Sequence, residues 1–100
     1  MQVRWLRRAL RSLEQEAAYL AQENPRAAGA LVAEADQSTR LLIRHPDLGR
    51  PGRVPGTREL VLPHFRYVIP YRVREQRIEI LHVLHTSRKW PPGFEPPGAS

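Results

Sequence analysis

The sequence predicts a small α+β domain in which a helical hairpin packs on a small, mainly antiparallel sheet. Two stretches with helical spacing of apolar residues come first, and three strand-like runs follow them. A loop rich in proline and glycine separates the two halves. The 100 residues suffice for one domain with a single hydrophobic core. The predicted order of elements is therefore β-α-α-β-β-β.

The first half of the chain is predicted to hold a short edge strand and both helices. Residues 3–5 form the strand. Residues 6–20 repeat leucine and alanine at helical spacing, which indicates an amphipathic helix that ends near Asn24. Asn24 is also placed to cap a second helix, with Pro25 at its first position, that runs to about Arg44.

The second half is predicted to begin with a loop over residues 46–57 and to continue as an antiparallel meander. Residues 58–62, 65–74 and 77–85 have strand character, and the short links between them fit hairpin loops. The last run is apolar on both faces, which suits a central strand. Because Pro70 lacks an N–H group, we expect it at an edge-facing position or at a bulge.

The strand at residues 65–74 is predicted to turn its two faces toward the helices and toward solvent. The face beneath the helices would carry Phe65, Tyr67, Ile69, Tyr71 and Val73. The other face would present three arginines to solvent or to a partner, namely Arg66, Arg72 and Arg74. We expect residues 1–91 to form the domain and residues 92–100, rich in proline and glycine, to form a flexible tail.

The positive charge of the chain lies almost entirely in its second half. Residues 1–49 contain seven arginines against six acidic residues, whereas residues 50–90 contain nine basic residues against three acidic ones. A one-sided cationic surface attracts nucleic acid or an acidic protein. The alternative interpretation is a general solubility charge, since arginine supplies every basic side chain except Lys89.

The residue inventory argues against metal, disulfide and cofactor chemistry. The chain has no cysteine, and His82 and His85 would face opposite sides of a strand. It has no glycine-rich phosphate loop, and Ser12, Ser38 and Ser87 have no evident histidine–carboxylate partners. We therefore expect no metal and no cofactor. The N-terminus lacks an apolar signal sequence and no apolar run could cross a bilayer, so we expect a cytoplasmic protein without a membrane partner.

A group of arginines remains as candidate chemistry. Arginines in the loop and at the ends of strands could converge over one rim of the sheet: Arg50, Arg53, Arg58, Arg66 and Arg88. Guanidinium groups bind phosphates and stabilise the charge that develops in phosphoryl transfer, and His85 could transfer a proton beside them. For the arginines that open strands, the competing interpretation is ion pairing with Glu59 or Glu79.

Five stretches of the sequence occur in a recognisable order. Four of them are LGRPGR at residues 48–53, GTRELV at 56–61, FRYVIPYRV at 65–73 and IEILHVLHTSRKWP at 78–91. The fifth is the helical half, through residues 4–5, 9–10, 13, 19–20 and 24–28. In this order they resemble the RelE/ParE toxins of bacterial type II toxin–antitoxin modules. The resemblance covers residues 1 to about 91 and implies the same β-α-α-β-β-β fold.

The resemblance implies one of two activities. RelE-like members cut mRNA in the ribosomal A site with several basic residues and often a C-terminal tyrosine, whereas ParE-like members poison DNA gyrase. Arg58, Arg66 and Arg88 fall where RelE-like toxins carry functional arginines, but Trp90 stands where a tyrosine would follow. The resemblance therefore favours the ParE-like branch, an inhibitor that is not an enzyme. The alternative is a ribosome-dependent mRNA endoribonuclease that uses these three arginines with His85.

The resemblance also implies a cognate antitoxin, which neutralises the toxin and alone contacts operator DNA. Growth inhibition and plasmid stabilisation are the expected consequences, and a plain binding module or an inactive toxin is the third interpretation. An acidic amphipathic segment of the antitoxin could cover the basic sheet face or the groove of the helical hairpin. We expect the target contacts at Arg50, Arg53, Arg58, Arg88 and Trp90, and the antitoxin contacts at Arg66, Arg72 and Arg74. For Trp90, packing against the sheet is the alternative to base stacking.

Overall fold

Two helices pack on one face of a six-stranded sheet in the computed structural model, which describes residues 1–86. The elements are β1 Gln2–Trp5, α1 Arg7–Ala21, α2 Pro25–Arg40, a 3₁₀ helix Leu41–Ile43, β2 Arg50–Pro51, β3 Arg58–Val61, β4 Tyr67–Arg74, β5 Arg77–Ile80 and β6 Leu84–His85. The strands lie in the order β1-β5-β4-β3-β2, and β6 pairs with β4. The predicted α+β class with a helical hairpin is confirmed. The predicted domain end at residue 91 lies outside the described residues.

The boundary between the two helices lies where local sequence signals predict it, whereas α2 ends at Arg40 and only the 3₁₀ helix continues toward the predicted end near Arg44. The side chain of Asn24 accepts a hydrogen bond from a backbone N–H three residues on (3.1 Å), and Pro25 occupies the first helical position of α2. Leu13 of α1 and Leu31 and Ala35 of α2 are buried in the same core as the sheet. Within residues 1–86, every helix is too short or too polar to cross a membrane.

The sheet is mixed because β1 runs parallel to β5, while the other pairings are antiparallel. β1 lies at the edge, as predicted, and β5 lies between β1 and β4. β2 was not predicted. It lies within the stretch predicted as a loop, and its Arg50 stands opposite Glu59 of β3. A strand of two residues that includes Pro51 has too short a pattern to be recognised.

The strand predicted over residues 77–85 is interrupted by a bulge opposite Pro70. β4 pairs first with β5 and then with β6, and between these pairings two residues of β4 stand opposite residues 81–83. One extra residue on one strand makes a β-bulge. The Pro70 carbonyl accepts a hydrogen bond from the N–H of Leu81 (2.9 Å). Because the nitrogen and the carbonyl of a residue in an antiparallel strand point to the same side, the proline nitrogen, which has no hydrogen to donate, also faces the bulge. The predicted bulge is confirmed.

β4 is buried on both faces over most of its length. Toward the helices it buries three of the predicted core residues, Tyr67, Ile69 and Tyr71. Phe65 precedes the strand and is partly buried against the core, and Val73 near its end is 47% exposed. On the opposite face Val68 and Arg72 are buried as well. The prediction that this face presents Arg72 to solvent is wrong, because Arg72 pairs with Glu79.

The side chain of Tyr71 joins the sheet to the loop that follows the helices. Its hydroxyl donates to the carbonyl of Pro46 (2.8 Å) and accepts from the N–H of Gly49 (2.8 Å). Burial raises the pKa of the Tyr71 hydroxyl, which keeps it protonated as a donor. A Cβ on Gly49 would lie 2.6 Å from Cε1 of Tyr71 and 2.9 Å from the carbonyl oxygen of Glu59. Position 49 therefore requires glycine because of this close approach.

We expect Gly49→Ala to destabilise the protein by about 1–3 kcal/mol, because the added methyl group overpacks the contact with Tyr71. Gly29→Ala is the matched control, since Gly29 lies within α2 and nothing lies within 4 Å of its added Cβ. This second change should stabilise the protein by roughly 0.5–1 kcal/mol, because alanine favours a helix over glycine. Urea unfolding followed by circular dichroism measures both, and equal stabilities of the two variants would contradict the role of Gly49.

Candidate functional site

Glu59 is a buried carboxylate at the centre of the basic loop. Its side chain is 2% exposed, and it stands opposite Arg50 of β2. The carboxylate accepts hydrogen bonds from the Arg50 guanidinium (3.3 Å) and from the backbone N–H of Arg53 (3.1 Å). The Arg53 guanidinium lies 3.8 Å from it. One buried acidic group thus holds two of the predicted target-contact arginines, whose side chains remain 56% and 43% exposed.

Arg58 holds the loop that follows the 3₁₀ helix. It stands opposite Tyr71 in the ladder between β3 and β4, so the two side chains share the helix-facing side of the sheet. Its guanidinium donates to the carbonyl oxygens of Asp47 (3.3 Å) and Gly49 (2.7 Å). The alternative of pairing with a glutamate does not hold for Arg58, since Glu59 is its neighbour in the strand and points to the opposite face.

Arg72 forms a buried ion pair with Glu79 of β5. The two residues are directly opposite in the ladder, their Nε and Oε1 atoms are 2.6 Å apart, and each side chain is 10% exposed. A guanidinium is buried at tolerable cost when a carboxylate directly across from it supplies the opposite charge. Arg74, at the end of β4, is exposed. Of the three arginines predicted to contact the antitoxin, only Arg66 and Arg74 are therefore exposed.

A cleft at the other end of β4 brings Arg66 and His85 together. Tyr67 stands opposite His85, and their rings meet edge to face with centroids 5.4 Å apart. The carbonyl of Arg66 accepts a hydrogen bond from the N–H of Thr86 (2.8 Å), which fixes the backbone there. The cleft has a volume of about 430 Å³ and is lined by Tyr19, Leu20, His64, Phe65, Arg66, Tyr67 and His85.

The residues predicted for RNA cleavage are not gathered in one place within residues 1–86. Arg58 lies at the far end of the ladder, four residues along β4 from the cleft, which is roughly 13 Å at the rise of a strand. Arg88 and Trp90 lie outside the described residues. Arg66 and His85 are therefore the two members of the predicted set that the described structure brings side by side.

The histidines offer hydrogen bonding and stacking in the described structure. His82 lies between β5 and β6 and is partly buried. Burial lowers the pKa of His82, the positive charge of Arg8 lowers it further, and Glu16 acts in the opposite direction. The neutral imidazole is thus favoured at this position. Among residues 1–86, no group of three His, Asp or Glu side chains is arranged to hold a metal ion.

An open apolar groove lies where α1, α2 and the end of β1 meet. Its volume is about 480 Å³, and it is lined by Trp5, Leu10, Leu13, Gly29, Val32, Ala33 and Asp36. In the structure Leu31 is fully buried, whereas Leu10 and Val32 are 45% and 43% exposed in the groove. The groove could have been predicted from the sequence, because the apolar stripe on the helices is wider than the sheet beneath can cover.

Comparison with known proteins establishes the family. Residues 3–90 match the sequence model described as the ParE toxin of type II toxin–antitoxin system, parDE. The chain belongs to the ParE toxin family. It is the toxin of a ParDE-type toxin–antitoxin system, as its resemblance to the RelE/ParE toxins implied.

Two similar proteins agree with this family. The protein named "Putative toxin Y4kP" of Sinorhizobium fredii is 44% identical over 89 residues, which are 89% of this ParE toxin and 92% of that protein. The solved structure described as "Chromosomal ParDE TA system from P. aeruginosa" matches with a TM-score of 0.75 at 28% identity. That match covers 83% of this chain and 92% of the other. The predicted RelE/ParE-like fold is confirmed.

Glu59→Gln should destabilise this ParE toxin by about 1–3 kcal/mol, because it removes the buried charge that holds Arg50 and Arg53. Glu75→Gln is the matched control, since its pair with Arg77 is at the surface and its side chain is 66% exposed. We expect that change to cost less than about 0.5 kcal/mol. Hydrogen exchange of the backbone amides in residues 50–57 should accelerate in Glu59→Gln alone. Unchanged exchange there would show that Glu59 does not order the loop.

Proposed function

We propose that this ParE toxin acts in the cytoplasm as an inhibitor of DNA gyrase and that a cognate antitoxin neutralises it. Membership of the ParE family supports this target, since the resemblance to ParE-like toxins implies gyrase. In this proposal operator DNA is contacted through the antitoxin alone, and the toxin uses no metal or cofactor. Growth inhibition and plasmid stabilisation would follow from the release of the toxin.

The position of Arg58 is the observation that leads us to propose gyrase inhibition rather than RNA cleavage. Cleavage of a phosphodiester needs cationic groups that converge on one phosphate and stabilise its developing charge. Arg58 instead donates to two loop carbonyls. Its partner Tyr71 lies roughly 13 Å along β4 from Tyr67, the partner of His85. Arg66 is one residue farther away. Convergence of these groups on one phosphate would require Arg58 to release the loop that it holds.

We place the target contact on the loop arginines Arg50 and Arg53. Their side chains are about half exposed, and buried Glu59 fixes them without covering them. Guanidinium groups that are fixed in place bind an acidic partner at a low entropic cost and with charge-assisted hydrogen bonds. The contacts predicted at Arg88 and Trp90 remain part of the proposal, whereas the predicted contact of Arg58 is replaced by a supporting role.

A supercoiling assay with purified gyrase and relaxed plasmid tests the proposed target. We expect the toxin to inhibit supercoiling and the double variant Arg50→Ala, Arg53→Ala to need about tenfold more protein for half inhibition, because two charge-assisted contacts are lost. His85→Ala is the control, because it removes the proton-transfer group that RNA cleavage would need and should leave gyrase inhibition unchanged. Normal supercoiling, together with mRNA cleavage that disappears in His85→Ala, would replace the proposal with the endoribonuclease alternative.

We propose that the antitoxin covers the apolar groove between the helices. The groove leaves Leu10 and Val32 nearly half exposed, and exposed apolar area of this kind is typical of protein contacts. An amphipathic helix buries such area as it becomes ordered. The contact of antitoxin carboxylates with Arg66 and Arg74 stays a prediction. We leave Arg72 out of this proposal because its side chain is buried in an ion pair with Glu79.

Val32→Glu should weaken antitoxin binding by about 30-fold or more, because it places a charge in the apolar groove. Val73→Glu is the matched control, since Val73 is 47% exposed and lies outside the groove. Each toxin variant is purified together with the antitoxin encoded beside its gene, and the dissociation constant is measured by calorimetry. Equal affinities of the two variants would rule out the groove as the antitoxin site.

A further inference from the structure

In the second half of the chain, Arg66 differs from several other arginines in the use of its guanidinium. Glutamates or loop carbonyls take up the guanidinium groups of five others, namely Arg50, Arg53, Arg58, Arg72 and Arg77. Within residues 1–86 no hydrogen bond or ion pair takes up the side chain of Arg66, which is exposed and directly precedes β4. A guanidinium in this state is ready to bind an anion from outside.

The cleft beside Arg66 gathers planar side chains. Five of its seven lining residues carry rings: Tyr19, His64, Phe65, Tyr67 and His85. The whole chain has two Phe, two Trp, three Tyr and four His residues, so nearly half of its rings line this cleft. Tyr19 is 64% exposed, which leaves its ring open to a ligand. The lining therefore favours a planar ligand that carries negative charge.

We propose that this cleft binds one unpaired nucleotide of a nucleic-acid strand. The base stacks on the rings of Tyr19 and Phe65, and the guanidinium of Arg66 holds the adjacent phosphate. Stacking accepts any base because every base has a π face, and a guanidinium binds phosphate oxygens in pairs. The volume of about 430 Å³ lies within the range of about 300–1,000 Å³ that is usual for small-molecule sites.

The wall of the cleft formed by the turn between β3 and β4 is fixed before any ligand binds. Nδ1 of His64 lies 2.5 Å from Oε1 of Glu34, and the backbone N–H of His64 donates to Oε2 of the same carboxylate (3.2 Å). These contacts attach the turn to α2. The Glu34 side chain is 14% exposed, so this carboxylate is largely covered. A cleft that is already formed loses little entropy when a ligand enters it.

Bound nucleotide is held without cleavage in this proposal, and the site does not depend on gyrase as the target. The duplex is excluded because its bases are stacked inside the helix, where Tyr19 and Phe65 cannot reach their faces. DNA and RNA single strands share the chemistry that the cleft recognises. RNA differs from DNA in its 2′-hydroxyl, so a comparison of RNA and DNA strands shows which of the two the cleft prefers.

Fluorescence anisotropy with labelled oligothymidylate and oligouridylate tests the proposal on the full chain. Arg66→Ala and Tyr19→Ala should each weaken binding about tenfold, the size expected for the loss of one phosphate contact or one stack. Tyr19→Phe should keep the wild-type affinity because it keeps the ring. Arg44→Ala is the control for charge, since Arg44 is exposed and lies outside the cleft. It should change the affinity less than about twofold.

Three results would overturn the proposal: no binding of either strand, equal losses in Arg44→Ala and Arg66→Ala, or a duplex bound as tightly as a single strand. A higher affinity for one of the two strands supports the site and identifies its sugar. Competition by thymidine monophosphate supports it and shows that a free nucleotide suffices. The altered side chains are exposed, and circular dichroism of each variant separates a loss of binding from a loss of fold. Gyrase inhibition measured on the same variants tests the proposed target independently.

Discussion

The hydroxyl of Tyr71 is the contact on which the arrangement of the site depends, because it joins the helical half of the chain to the sheet. It binds the carbonyl of Pro46 and the N–H of Gly49, while Arg58 from the neighbouring strand binds the Gly49 carbonyl. Buried backbone groups of a loop need such partners, since they cannot reach water. β2 begins at Arg50, the next residue, so the position of the basic loop follows from the way in which the preceding residues are held.

Two buried glutamates then organise the charge of the second half on the face of the sheet away from the helices. Glu79 takes up Arg72 inside the protein, and Glu59 fixes Arg50 and Arg53 at the surface. A buried carboxylate without a partner would be costly, so each glutamate requires its arginines as much as they require it. The positive charge available to a partner is therefore smaller than the count of residues suggests, and it is ordered rather than diffuse.

The elements could be predicted from the sequence because their signals are local. Asn24 caps a helix through its own side chain, and Pro70 leads to a bulge because it lacks an N–H. The alternation of a strand predicts the face on which Arg72 lies, but not that an acidic residue stands across from it. That depends on the register between β4 and β5. The cleft could not be predicted from the sequence either. Tyr19 and Phe65 are distant in sequence and line the same cleft only because α1 packs beside the turn between β3 and β4.

The groove and the ring-lined cleft use different sides of α1, which bears on how neutralisation works. Leu10 lines the groove and Tyr19 lines the cleft. These residues are nine positions apart, about two and a half helical turns, so their side chains leave the helix in opposite directions. A partner helix in the groove therefore leaves Tyr19 open, and nucleotide binding should persist in the toxin–antitoxin complex. An antitoxin carboxylate at Arg66 would require a second segment of the partner that passes round α1, and that segment would compete with the nucleotide.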